Sequence, residues 1–189
     1  FYLCSGLSTK RKLILDSNLL EITVSRLCHQ LLEVHENFEN TVILGLQPRG
    51  IFLAQMIHTR LESEVGKKIN LGFLDTTFYR DDFRRRQTPA KANTTKVDFI
   101  IESKNVVVID DVLFTGRSVR AALDAMMAFG RPNKVELLVL MDRKYTRDLP
   151  IAADYVGKEV NTIESQRVLV ELEAQGFKKN KIWLINTEN

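Results

Sequence analysis

The chain predicts an α/β domain, a parallel sheet flanked by helices. Three observations lead there. Apolar runs such as "TVILGL" (41–46) and "NVVVI" (105–109) are continuous rather than alternating, as expected of strands buried on both faces. Segments with helical spacing lie between these runs, which is how parallel strands are connected. After Arg143 the rhythm changes to short β segments, "DYVG", "RVLVEL" and "KIWLI", which predict a small β-rich hood.

Taken in order, residues 18–36 predict an amphipathic helix. Asn18 and Glu21 resemble a capping box, and Leu20, Val24, Leu27, Leu31 and Val34 share one face. Strand 41–46 leads through the turn "QPRG" into a helix over 51–65 that stops at Gly66. "INLGFLDTTFY" (69–79) predicts a strand with a polar far end. From about Arg80 to Lys104 the pattern dissolves into a charged stretch with Pro89, too long for an ordinary connection and expected to be a lid. Strand 105–111 follows, then a helix over 117–130 ending at Gly130 with Pro132 beyond, then strand 134–142. The expected organisation is one domain: a core over about 18–142, and a hood over about 143–189 joined by the N-terminal segment.

With 189 residues and 44% apolar content, the chain is long enough for a real core. No apolar run approaches the ~20 residues of a membrane span. The start, "FYLCSGLSTK", has no Met and does not resemble a signal peptide. Cys4 and Cys28 form no disulfide framework, and Cys28 falls on the apolar helix face. A reducing, cytoplasmic setting is expected. A net charge of +3 neither requires nor excludes nucleic acid. His29, His35 and His58 are scattered on predicted helices and are expected at the surface.

The chemistry is concentrated in "VVVIDDVLFTGRS" (106–118). Asp110 and Asp111 stand where a buried strand ends, the edge at which open α/β sheets bind ligands. The loop Val112–Arg117 then leads to a helix N-terminus, whose unpaired N–H groups and dipole favour phosphate. Thr115 and Ser118 add hydroxyls, and Gly116 allows close approach. Two carboxylates beside a phosphate cradle repel phosphate alone. They suit a ligand that offers phosphate to the loop and vicinal hydroxyls to the acids, as a ribose 5-phosphate does. An isolated Asp-Asp pair could equally be a strand end and a helix cap; the whole string fits one ligand.

This string resembles the 13-residue signature of the type I phosphoribosyltransferases, matching it throughout. Together "LFTGRSVRAALDAMMAFGRP", "LDTTFYRDDF" and "LPIAADYVGKEV" resemble the PyrR family, pyrimidine-operon attenuators with uracil phosphoribosyltransferase activity, over roughly residues 18–185. The resemblance implies the donor 5-phosphoribosyl-1-pyrophosphate (PRPP), bound with Mg²⁺ and in part through Asp110 and Asp111. It implies Val112, Leu113, Phe114, Thr115, Gly116, Arg117 and Ser118 as the phosphate loop, and Gln47, Pro48, Arg49 and Gly50 as the pyrophosphate loop. A cis Gln47–Pro48 bond is expected there. Tyr79 and Arg80 stand at the root of the lid, whose run Arg84–Arg86 either attracts the anionic donor or is simply solvated.

Phe114 stands where purine enzymes of this type carry an acid, and Asp142 where they carry a lysine, so the resemblance implies a pyrimidine acceptor. Tyr155 and Val156 would border the base, Tyr155 by stacking unless it is core filler. Asp142 and Arg143 would lie nearby. The implied reaction gives UMP from uracil, with Asp110, Asp111 and Arg49 as its catalytic residues. The alternatives are an acceptor of another base, and a leader-RNA regulator whose basic surface includes Arg26, His29 and Lys158. Val34 and Ala152 replace arginines common among RNA-binding relatives. The resemblance further implies a dimer or tetramer.

Overall fold

The computed structural model describes residues 11–77, 94–163 and 165–186. Five strands form the main sheet in the order β3-β2-β4-β5-β6: β2 (Thr41–Leu46), β3 (Leu71–Leu74), β4 (Asn105–Leu113), β5 (Lys134–Lys144) and β6 (Tyr155–Asn161). All four pairings are parallel. A second, antiparallel sheet, β1-β8-β7, joins β1 (Arg11–Leu15) to β7 (Gln166–Glu171) and β8 (Lys181–Asn186). This is the predicted hood, closed by the N-terminal segment.

Successive side chains in a strand point to opposite faces, and both faces of the main sheet are covered. Ile43, Val107 and Ile109 face one core together with α1 (Ser17–His35) and α2 (Gly50–Val65). Val42, Leu44, Val106 and Val108 face the other, against α3 (Arg117–Met126). This double coverage explains the uninterrupted apolar runs. Hood residues Leu15, Val170, Leu172 and Ile182 join the α1–α2 core, so hood and sheet share packing. Leu20, Val24, Leu27, Cys28 and Leu31 form the buried stripe of α1; Leu27 is fully buried, a contribution of about 2 kcal/mol.

Several expectations are corrected. The cap of α1 is Asp16, which accepts from Leu19 N at 2.9 Å, not Asn18. Val34 is exposed rather than on the apolar face. Of the predicted strand 69–79, the described residues 69–77 form strand only at Leu71–Leu74, and Phe78 and Tyr79 lie outside the described residues. "DYVG" is not part of the hood: it begins β6, the edge strand of the main sheet. The His35 side chain is buried, as described below. Gly66 ends α2 in the left-handed conformation, as predicted. Cys28 is free and buried, and burial pushes its thiol up to about 12. No helix among the described residues is long and apolar enough to cross a membrane.

Candidate active site

The site lies at the C-terminal edge of the central strands. Strands β2 and β4 are neighbours in register, Gly45 opposite Ile109, so the loops that leave them for α2 and α3 emerge side by side. Gly50 makes this closeness possible. A Cβ there would stand 2.6 Å from the Ile109 carbonyl oxygen and 2.9 Å from Asp110 Cα, so any larger residue would push the two loops apart. The Gln47–Pro48 bond is cis.

The two acids differ. Asp110 is half-buried and its Oδ1 accepts from Asp111 N at 2.9 Å. Asp111 is buried, with Arg49 Nε 3.1 Å from its Oδ2. Burial raises the Asp111 carboxyl, while the Arg49 cation and the hydrogen bond with Asp110 oppose the rise. Arg49 also donates to the Val170 carbonyl in β7, tying the loop between β2 and α2 to the hood. Its guanidinium is therefore engaged by the protein, yet 44% of the side chain is exposed. An arriving anion would have to share it with Asp111.

Gly116 caps α3 with φ 90°, a conformation that favours glycine. A Cβ there would sit 3.2 Å from Ile151 Cδ1. Thr115 Oγ1 accepts from Arg117 N at 3.4 Å, and Arg117 pairs with Asp148 at 3.0 Å. The segment after β5 also backs this loop, because Asp148 N and Leu149 N both donate to the Thr115 carbonyl. Arg147, a residue sequence reasoning missed, donates to the carbonyls of Leu113, Phe114, Arg143 and Ile151 and pairs with Asp142. Asp142, Arg143 and Ile151 are near it in sequence, but the loop carbonyls of Leu113 and Phe114 are more than thirty residues away, and only the pairing of Leu113 with Asp142 in the sheet hints at that contact.

Asp142 and Arg143 reach the same edge, both buried and both committed to the protein. Asp142 binds Arg147 and lies 3.7 Å from Lys144 Nζ. Arg143 donates to Thr162 Oγ1 at 3.0 Å and the Gln166 carbonyl at 2.6 Å, with its guanidinium 3.8 Å from the centre of the exposed Phe114 ring.

Tyr155 and Val156 are not placed as expected. Tyr155 is buried in the α1–α2 core, its hydroxyl 3.3 Å from Glu136 Oε1, near the N-terminal end of the sheet. The core-filler reading is the one this placement fits, because the first residue of a parallel strand starts at the edge opposite the loops. Val156 packs inside the main sheet and its carbonyl accepts from Arg26 at 3.2 Å.

Tyr79, Arg80 and Arg84–Arg86 lie outside the described residues. The flanking residues converge on the site edge. Thr77 donates to Asp75 Oδ1 through its N–H at 2.9 Å and its hydroxyl at 2.6 Å, and Gln47 Nε2 donates to the Thr94 carbonyl at 2.7 Å.

No group of three or more His, Cys, Asp or Glu residues able to hold a metal occurs among the described residues. The donors present, two adjacent carboxylates, suit a hard divalent ion that keeps waters and arrives with a phosphorylated ligand rather than one caged by protein.

A profile of the family "Phosphoribosyl transferase domain" matches residues 11–175. The chain belongs to the phosphoribosyltransferase family. Within it, the similar curated proteins are named "Bifunctional protein PyrR". The one from Caldicellulosiruptor bescii is 46% identical, covering 85% of this chain and 88% of the relative. That of Bacillus cereus (strain AH820) is 40% identical, covering 87% and 92%. The chain therefore belongs to the PyrR group of phosphoribosyltransferases. Solved structures with the same fold include a hypoxanthine-guanine phosphoribosyltransferase from Bacillus anthracis, with TM-score 0.66, 17% identity and coverage of 95% of this chain and 99% of that one. A Trypanosoma cruzi hypoxanthine phosphoribosyltransferase in complex with IMP gives TM-score 0.62 at 12% identity, covering 80% and 77%. At these identities the likeness concerns the α/β fold alone.

Proposed function

We propose that this phosphoribosyltransferase moves the phosphoribosyl group of PRPP to uracil N1, releasing pyrophosphate and forming UMP in the cytoplasm. The observation that carries this reading is the placement of Asp110, Asp111 and Arg49 beside the Thr115–Gly116 loop on one sheet edge. The C1′–O bond to pyrophosphate breaks as the C1′–N1 bond forms, the uracil N1 proton passes to the departing pyrophosphate or to solvent, and the transition state gathers positive charge on the sugar. Asp110 and Asp111 accept from the ribose hydroxyls, and their charge favours that centre. The loop amides and the α3 N-terminus hold the 5-phosphate. Arg49, shared between Asp111 and the diphosphate, stabilises the leaving group. Asp110 and Asp111 are the protein oxygens that would hold a Mg²⁺ ion arriving with the donor, and the ion would supply charge neutralisation at the pyrophosphate.

Phe114 cannot exchange a proton with an imidazole ring, and Asp142 is buried against cations. Both weigh against a purine acceptor. The test is pyrophosphate release from PRPP with Mg²⁺ and a panel of bases. Uracil should give the fastest turnover; faster turnover with guanine or hypoxanthine would overturn the pyrimidine assignment.

A second reading, RNA binding, is favoured by one arrangement. Arg26 on α1 donates to the Val156 and Gly157 carbonyls on β6, so exposed Arg26, His29 and Lys158 share the surface where these elements meet. Exposed Val34 and Ala152 contribute no charge there. A dimer or tetramer goes with the phosphoribosyltransferase reading, as the family resemblance implies.

A further inference from the structure

We propose that Arg147 is a positioning residue that aims the phosphate loop, an inference that rests on the phosphoribosyl reading of the site. Three consecutive loop carbonyls are held from one side. Leu113 and Phe114 accept from Arg147 Nη1, the former at 3.3 Å. Thr115 accepts from Asp148 N at 3.1 Å and Leu149 N at 3.2 Å. In a planar trans peptide the C=O and the following N–H point in opposite directions. Holding the carbonyls of residues 113, 114 and 115 toward the 147–149 segment therefore turns the N–H groups of Phe114, Thr115 and Gly116 away from it. It also removes three carbonyl dipoles from the side where a phosphate would be repelled.

Arg147 is itself fixed. Its Nε donates to the Ile151 carbonyl at 3.0 Å and its Nη1 to the Arg143 carbonyl at 3.1 Å, and its Nη2 pairs with Asp142. The side chain is 23% exposed and Asp142 only 6%, so solvent screens the pair weakly. A guanidinium is the group that serves this geometry, because several donors in a rigid plane reach separate acceptors at once. Lysine, with a single ammonium on a flexible stem, cannot span them. Arg147 thus links the end of β4 to the segment after β5: the first half of the phosphate loop is set by the chain that follows the strand carrying Asp142 and Arg143.

The consequence is a selective one. Loss of Arg147 should weaken binding of the donor's 5-phosphate while leaving the acid pair and the chemical step in place. The test compares wild type, Arg147→Gln and Arg147→Lys by steady-state kinetics and by calorimetric titration with ribose 5-phosphate. We expect Arg147→Gln to raise KM for PRPP about tenfold or more, a loss typical of charge-assisted hydrogen bonds, with kcat and the uracil KM changed little. Arg147→Lys should recover only part, free guanidinium should restore Arg147→Gln, and Asp142→Asn should move the same parameter less. An unchanged KM for PRPP in folded Arg147→Gln would overturn the inference. So would a parallel fall in kcat and thermal stability that guanidinium does not reverse, since that marks a merely structural role. If wild type itself bound no ribose 5-phosphate, the phosphoribosyl reading would fall first; equal binding by wild type and Arg147→Gln removes only the role of Arg147.

Discussion

Both ends of the parallel sheet bury a carboxylate against a cation, and the two are built for different ends. At the C-terminal edge, Asp111 meets Arg49, whose side chain is substantially exposed, between two loops leading to helix N-termini. At the N-terminal edge, Glu136 lies 3.0 Å from His35 Nε2, with Lys134 Nζ at 2.7 Å and the Tyr155 hydroxyl at 3.3 Å. Thr41 Oγ1 stands 3.1 Å from His35 Nδ1, and the His35 and Glu136 side chains are almost wholly buried. Each cluster has a partly solvated cation, Lys134 being 57% exposed and Arg49 44%. What sets the upper one apart is its place between the loops that lead into α2 and α3. Burial of charge alone does not mark a site; the sheet edge and its loops do.

The largest expected contrast is in turnover. Changing Asp110 and Asp111 together to Asn should lower uracil-dependent pyrophosphate release by about a hundredfold or more, in the range of lost electrostatic stabilisation, with the fold retained. Full activity in that variant would remove the acids from the mechanism. At the other end, His35→Leu removes the buried imidazole beside Glu136 and Thr41 while Lys134 remains as the cation of Glu136, and should cost about 1–3 kcal/mol of stability by denaturant unfolding, while activity per folded molecule persists. A change within 0.5 kcal/mol, taken here as the rough limit for ordinary surface positions, would show the cluster to be inert.

A smaller effect of opposite sign is expected at the upper end. Burial raises the Asp111 carboxyl, so the folded protein holds a proton there to higher pH than the unfolded chain does. Its ionisation therefore erodes stability as pH rises through that window, and Asp111→Asn should flatten this fall in denaturant unfolding followed against pH while losing activity; an unchanged pH slope would contradict it. His35 behaves in reverse. Burial holds its imidazole below the ordinary value, outweighing the attraction of Glu136, and Lys134 adds to the lowering. The unfolded chain then binds the proton first. This contribution is complete above about pH 6.5 and is lost as pH falls toward the folded value. Thermal melts of wild type and His35→Gln between pH 5 and 8 should show a steeper acid-side fall for wild type; identical slopes would contradict it. The smallest effect concerns RNA. Alanine at Arg26 and Lys158 should weaken a pyrimidine leader transcript modestly and reduce the salt dependence of binding, and no binding by wild type would end that reading.

How much of this was legible in the sequence follows the range of the interactions. The β4 strand, its acids and the Thr115–Gly116 turn were plain because strand, turn and helix start lie within 13 consecutive residues. Likewise Gly66 announced the end of α2 locally. The lower cluster was not legible: His35 and Glu136 are about a hundred residues apart, and on a helix end His35 looks like a surface group. Nor was the place of β6, since a half-buried edge strand with Lys158 and Glu159 exposed resembles a hood strand. Arg147 was hidden because the contacts that matter, to the carbonyls of Leu113 and Phe114, cross more than thirty residues, although its other partners are local. Asp16 displaced Asn18 as helix cap because it precedes the first helical turn and its carboxylate reaches Leu19 N.

The most direct test of the account is to follow backbone amide resonances while titrating ribose 5-phosphate into the protein. The account predicts saturable shifts confined to residues 112–118 and their neighbours at the upper edge, with His35, Glu136 and Tyr155 unmoved. Shifts centred on the lower cluster, or none at residues 112–118 at saturation, would contradict it.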